Sequence, residues 1–306
     1  MTSAAASAAV AGVCAVVVTH RPDLPTLRQV LAAVRPQVGH LLVFDNASGD
    51  AQTAALLDQA EADGIVVVRS PTNLGLGAAY NRAARHAVAL GASHMLMLDQ
   101  DSVLEPGAVA RLHEALQRLG AAAVGPQFRD ARSGRLAPFV QIGFPFNRKR
   151  YGGPGQAVEA DFLITSGTLV TLARYAASGG LDEALFIDNV DLDWCFRLRR
   201  QGGRLYGVCD ARMRHAIGEK LVYRGLKASG VILHSPSRLY YIMRNRVALY
   251  RRAYTPRVWI AQDVPRLLLR LLGTGMFVAP RLDYLRQMCR GIADGVRGRL
   301  GPRSGG

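Results

Sequence analysis

Cysteine is scarce in this 306-residue chain, and the four present, Cys14, Cys195, Cys209 and Cys289, lie far apart with no Cys-x-x-Cys pair. That spacing suggests neither a zinc site nor a disulfide framework, and a reducing compartment is its simplest setting. Long apolar runs are missing too. No stretch reaches the roughly 20 uninterrupted apolar residues that a membrane-spanning helix needs, and the best approach, residues 258–279, is broken by Asp263, Arg266 and Arg270. No basic residue precedes Arg21, so the Ala/Ser-rich start lacks the charged opening of a signal peptide, and residues 1–12 read as a disordered lead-in. Acidic residues are also few: 23 Asp and Glu stand against 38 Lys and Arg, for a net charge of +15. Such a balance favours anionic partners, whether nucleic acid, anionic lipid or phosphorylated substrates.

The chain is 49% apolar, enough to bury a large core. Val13-Cys-Ala-Val-Val-Val18 has the continuous pattern of a strand buried on both faces. Helical patterns over 24–34 and 51–62 then alternate with short strands over 40–44 and 65–68. This alternation predicts βαβ units and a mainly parallel sheet with helices on both faces, so that ligands gather outside the carboxyl ends of the strands. The polar clusters fall at those ends. Asp45 follows the second strand directly. A carboxylate there can accept from the N3–H of uracil or thymine, or else form an N-cap or Asx turn with Ser48 and Asp50 nearby. Asn73-Leu-Gly75-Leu-Gly77 opens a helix whose amide-rich start would attract phosphate. It follows the third strand and is not Gly-x-Gly-x-x-Gly, so it is not the dinucleotide fingerprint.

Two acidic centres carry the chemistry. In Met95-Leu-Met-Leu-Asp99-Gln-Asp101-Ser102 a buried strand runs into two carboxylates that share one side of the rim. Hard oxygen donors there suit Mg²⁺ or Mn²⁺ bridging to a nucleotide diphosphate, and a strand followed by a capping turn is the plainer alternative. In Phe186-Ile-Asp188-Asn-Val-Asp191-Leu-Asp193-Trp194, a helix starting near Val190 puts Asp191 and Asp193 in its first turn. The dipole there should keep a carboxylate ionised, as a general base requires. Asp193 is expected to pair with Arg197 at i,i+4, Asp191 to do chemistry, and Asp188 is undecided between the two. His215, after another strand, is placed to complete a metal site with Asp101. Residues 121–160 read as loops and short edge strands with a solvated basic run, Arg148-Lys149-Arg150. The arginines that follow His234 lie on a basic helix face suited to a diphosphate.

Taken in order, the motifs around Thr19, Asp45-Asn46, Asn73, Asp99-Gln-Asp101, Asp188 to Trp194, His215 and Tyr240-Tyr-Ile-Met-Arg244-Asn245 resemble family 2 glycosyltransferases of the GT-A fold. The resemblance is narrower to the bacterial rhamnosyltransferases of cell-surface polysaccharide assembly. It implies that Thr19, Asp45, Asn46 and Asn73 hold the base and ribose, Asp99 the ribose or phosphate side, and Asp101 with His215 a metal. Asp191 would be the base, standing as Val190-Asp191 where many relatives carry Glu-Asp. Asp188, Trp194, Arg244 and Asn245 would serve the acceptor or the diphosphate. The implied reaction is inverting transfer of L-rhamnose from dTDP-L-rhamnose, or of another sugar from a UDP donor, to a lipid-linked glycan at the inner face of the bacterial cytoplasmic membrane.

Domain limits follow as a catalytic domain over 13–252 and a basic amphipathic helical tail over 253–306, which would lie on an anionic bilayer or pack on the domain or a second subunit. A nucleic-acid-binding protein would account for the charge but not for acids at strand ends, so no nucleic acid partner is expected.

Overall fold

The computed structural model describes residues 8–130, 134–215 and 234–303. In chain order the first half comprises β1 (Val10–Thr19), α1 (Leu24–Val34), β2 (Val38–Asn46), α2 (Ala51–Ala62), β3 (Val66–Ser70), α3 (Leu76–Ala89), β4 (His94–Asp99), β5 (Ser102–Leu104), α4 (Ala108–Leu119) and β6 (Ala123–Asp130). Then come β7 (Phe139–Gln141), β8 (Arg148–Arg150), β9 (Ala157–Ala160), β10 (Leu169–Thr171), α5 (Leu172–Ala177), α6 (Val190–Arg200), β11 (Leu205–His215), α7 (Pro236–Tyr250), α8 (Arg257–Phe277) and α9 (Arg281–Arg297). The first strand starts at Val10, inside the expected lead-in; residues 1–7 lie outside the described ones.

Because β1 is buried on both faces from Val13 onward, it needs a partner along each edge. It has them in β2 and β4, both parallel to it. The nine-stranded sheet runs β3-β2-β1-β4-β10-β6-β11-β5, with β9 also paired to β11; β10 is antiparallel to β4 and β6. Strand order therefore reverses between β1 and β4, the switch point where open α/β sheets take ligands.

Alternation along the strands divides the core in two. Val13, Ala15 and Val17 with Leu96 and Leu98 meet α1, α2 and α4, whereas Cys14, Val16 and Met97 meet the alanines of α3 and Trp194, Cys195 and Leu198 of α6. Local signals set the helix starts: Asp23 accepts from the Thr26 amide at 3.0 Å and Asp50 from the Thr53 amide at 2.8 Å. The segment 162–170 is strand only from Leu169; Gly167, at φ 82°, turns the chain before it.

The C-terminal helices are not an appendage. Leu239, Ile242 and Met243 of α7 share a buried cluster with Leu267, Tyr284 and Met288 of α8 and α9. Glycine permits the closest approach, since a Cβ on Gly291 would stand 2.3 Å from the Tyr240 carbonyl oxygen. The boundary expected at 252–253 falls in the short connection between α7 and α8, and side-chain packing spans it.

Candidate active site

Strand register assembles one wall of the site. Val18 lies opposite Asp99 and Thr19 opposite Asp45, so the carboxyl ends of β1, β2 and β4 are level. Three residues beyond Asp99, β5 starts and runs antiparallel to β11 with Ser102 opposite His215. That pairing brings His215 beside Asp101 and Ser102, the latter 113 residues away in the chain: its Nδ1 lies 2.7 Å from Ser102 Oγ and 3.3 Å from the Asp101 carboxylate. Asp99, Asp101 and His215 each offer a ligand atom, all within 4.8 Å of one another. Burial raises the Asp99 pKa above the usual carboxylate range, although the charge of His215 opposes it. For His215 burial acts downward, but the hydrogen bond and charge of Asp101, with Asp99 and Asp130, prevail and raise it. Gln100, between the two aspartates, clamps the loop after β1, accepting from the His20 amide at 2.8 Å and donating to its carbonyl at 3.3 Å.

The opposite wall is the loop before α6. Phe186, Asp188 and Asn189 have φ of 65°, 60° and 60°, a left-handed region that costs non-glycine residues about 1–3 kcal/mol each. Surrounding groups hold them there. Asn245 Nδ2 donates to the carbonyls of Leu185, Ile187 and Asp188 at 2.9, 2.6 and 2.9 Å. Arg238 grips the Asp188 carboxylate with two nitrogens, Nε at 3.2 Å and Nη2 at 3.0 Å. The Leu76 amide donates to the Phe186 carbonyl at 2.6 Å. Asp191, one turn into the wall, accepts from the Leu192 amide at 2.8 Å. Burial, reinforced by the charges of Asp188 and Asp99, pushes its pKa from the ordinary 3.8 up to about 6. The helix dipole was expected to favour ionisation, and desolvation outweighs it.

Between the walls lies a cavity of about 590 Å³ that Thr19, Asn46, Asn73, Asp99, Asp101, Asp188, Asp191 and His215 all line. Four expected site residues stand elsewhere. Asp45 is buried and outside the cavity lining, where its carboxylate accepts from Thr19 Oγ1 at 3.1 Å and from the Ser48 amide and hydroxyl, so it buttresses Thr19. Trp194 is a core residue whose indole donates to Ser178 Oγ at 2.8 Å. Arg244 and Asn245 are buried beneath the 185–188 loop and hold it in place. Nor does the start of α3 offer its first amide to phosphate, since that amide is bonded to Phe186, and Gly75 and Gly77 admit the 182–186 backbone instead. Asp193 is paired with Arg197 at 3.0 Å as expected, and also with Arg252. Arg238 on the cavity wall is a residue that sequence reasoning did not single out; its signal was the basic face of the helix after His234.

Comparison with known proteins now decides the family: the glycosyl transferase family 2 model matches residues 14–171, just over half of the chain. The chain belongs to glycosyltransferase family 2. This family 2 enzyme is 29% identical over 292 residues to dTDP-rhamnosyl transferase RfbF of Shigella flexneri, spanning 94% of its own length and 96% of the relative's. It is thus a rhamnosyltransferase-like glycosyltransferase. Its fold, GT-A, is shared with S. aureus TarS 1–349 in complex with UDP-GlcNAc, at TM-score 0.62 and 16% identity over 93% of this chain and 80% of that one. GalNAc-T7, solved with UDP, GalNAc and Mn²⁺, gives TM-score 0.61 and 14% identity over 93% of this chain and 56% of that one.

Proposed function

We propose that this enzyme moves L-rhamnose from dTDP-L-rhamnose to a hydroxyl of a lipid-linked glycan, with inversion, in the assembly of a cell-surface polysaccharide such as O-antigen or exopolysaccharide. The carrying observation is one cavity with three metal-ligating side chains gathered on one wall and a carboxylate of raised pKa on the other. Carboxylate oxygens suit Mg²⁺ or Mn²⁺, and His215, with Nδ1 engaged by Ser102, keeps Nε2 free of hydrogen bonds among the described residues. Asp99, Asp101 and His215 are the residues that would hold such a cation, which supplies charge neutralisation to a diphosphate leaving group. Asp191 takes the proton of the acceptor hydroxyl as that oxygen attacks the anomeric carbon from the face opposite the leaving group. Thr19, Asn46 and Asn73 bind the nucleoside, with Asp45 fixing the Thr19 hydroxyl. Arg238 and Asp188 act on the sugar or acceptor side, beside Asp191.

The donor assignment is supported by the name of the Shigella relative, and the lipid-linked acceptor by the basic charge of the chain. Support for a bilayer surface comes from α8, where Val264, Leu268, Leu272 and Met276, spaced four apart on one face, are all exposed. Exposed Phe144 and Phe146 lie beside it, since Gln262 of α8 donates to the carbonyls of Gly143 and Pro145. Among the described residues no helix is long and apolar enough to cross a membrane. The deciding experiment offers the purified enzyme dTDP-rhamnose, UDP-galactofuranose and UDP-glucose, each with Mn²⁺ and extracted lipid-linked glycan. A rhamnosylated product with inverted anomeric configuration from the dTDP donor alone is the expected result; equal transfer from a UDP donor rejects the assignment.

A further inference from the structure

The helices α7 and α9 and the residues after α9 enclose a second recess, of about 300 Å³, that shares no residue with the active-site cavity. Five arginines line it, Arg244, Arg290, Arg297, Arg299 and Arg303, and among the described residues its one carboxylate is Asp294. That carboxylate already accepts from Tyr240 Oη at 2.9 Å, and the nearest nitrogens of Arg290 and Arg299 stop 4.0 and 3.9 Å short of it, beyond hydrogen-bond reach. Arg297 has no hydrogen bond or ion pair among the described residues. Arg303 lies over the Tyr240 ring at 5.6 Å, with its Nε buried and unpaired among the described residues. The floor is rigid, because Arg244 is 1% exposed and fixed by Asn245 Oδ1 and the Leu185 carbonyl at 3.0 and 2.9 Å.

Complementing the helix dipole accounts for a cation at the end of α9, such as Arg297. It does not account for five guanidiniums converging on one concavity, nor for a buried donor left over on Arg303. Like charges gathered around one recess repel unless an anion joins them, and planar guanidinium forks match the oxygens of a phosphoryl group. We propose that this recess binds a phosphate-bearing anion, a phosphomonoester or diphosphate, either free or as the headgroup of a lipid. The site stands apart from sugar transfer, and its test is independent of the donor.

The full chain is titrated calorimetrically with inorganic diphosphate in EDTA, so that no cation can hold the ligand at the active site. One saturable site is expected. Arg297→Ala/Arg299→Ala, both at solvent-facing side chains, should weaken it at least tenfold, whereas Asp101→Ala should leave it unchanged. Flotation with phosphatidic acid vesicles against phosphatidylcholine vesicles separates the sources. Retention that the arginine double variant abolishes identifies a lipid headgroup, and diphosphate binding without retention identifies a soluble anion. Absence of saturable binding by the wild type in both assays, diphosphate affinity equal in the double variant, or loss of binding in Asp101→Ala overturns the proposal.

Discussion

Asp191 combines two properties that pull against each other. Burial keeps its proton until about pH 6, while its proposed task needs the proton gone. Transfer should therefore rise with pH through a limb at or below 6, since a cation held nearby would draw the pKa down; kcat/KM from pH 5 to 8 checks this. The same group weakens the fold. With a pKa raised above 3.8, its contribution to stability is fully present below that value and is lost as pH rises through about 6. The ionised carboxylate then costs about 1–3 kcal/mol. Asp191→Asn, which keeps an oxygen for the Leu192 amide, is expected to bind dTDP normally and lower transfer about 10²- to 10⁴-fold. It should also unfold at higher urea at pH 7.5. Retained turnover would shift the base to Asp188. For Asp101→Ala, the expected outcome is loss of the Mn²⁺-dependent part of dTDP affinity, read by calorimetry with and without EDTA. Sequence showed the acidic residues because carboxylates next to apolar runs stand out. It offered the turn between Asp45 and Ser48 only as one of two alternatives, and it could not show that Arg244 and Asn245 serve carbonyls some 60 residues away, because those partners are distant in sequence.

At the scale of elements, helices and strands were legible wherever a local pattern was strong. The periods of α1 and α2 and the valines of β1 mark them, and Asp23 and Asp50 sit where helix caps should. What the pattern did not contain was the crossing of α7 with α9, which depends on glycines from a segment that resembles a surface helix. Gly291→Ala should expose that dependence: its methyl would meet the Tyr240 carbonyl, an immovable neighbour, and overpacking of this kind costs about 1–3 kcal/mol. A lowered midpoint of urea unfolding measures it, and an unchanged midpoint would mean the crossing is loose. The positive φ values at 186–189 were equally hidden, since none of those residues is glycine and the clamp comes from α7.

For the whole molecule, the +15 charge and the α8 face lead to the same expectation. If α8 lies in a bilayer interface, each leucine that enters it contributes about 1.5–3 kcal/mol. Leu268→Ser/Leu272→Ser should then cut flotation with phosphatidylglycerol vesicles more than tenfold, and raised salt should weaken the remainder; equal flotation of both proteins would assign α8 to a protein partner. The end of the chain has one more bearing on how this enzyme works. Gly301 donates to the Ala184 carbonyl at 2.6 Å and accepts from Arg244 at 2.5 Å, next to the loop that carries Asp188. Residues far beyond the family-matched stretch thus act as a brace for the 184–188 loop. A protein cut back to residue 252 would lose that brace, leaving the loop to Asn245, Arg238 and the Leu76 amide.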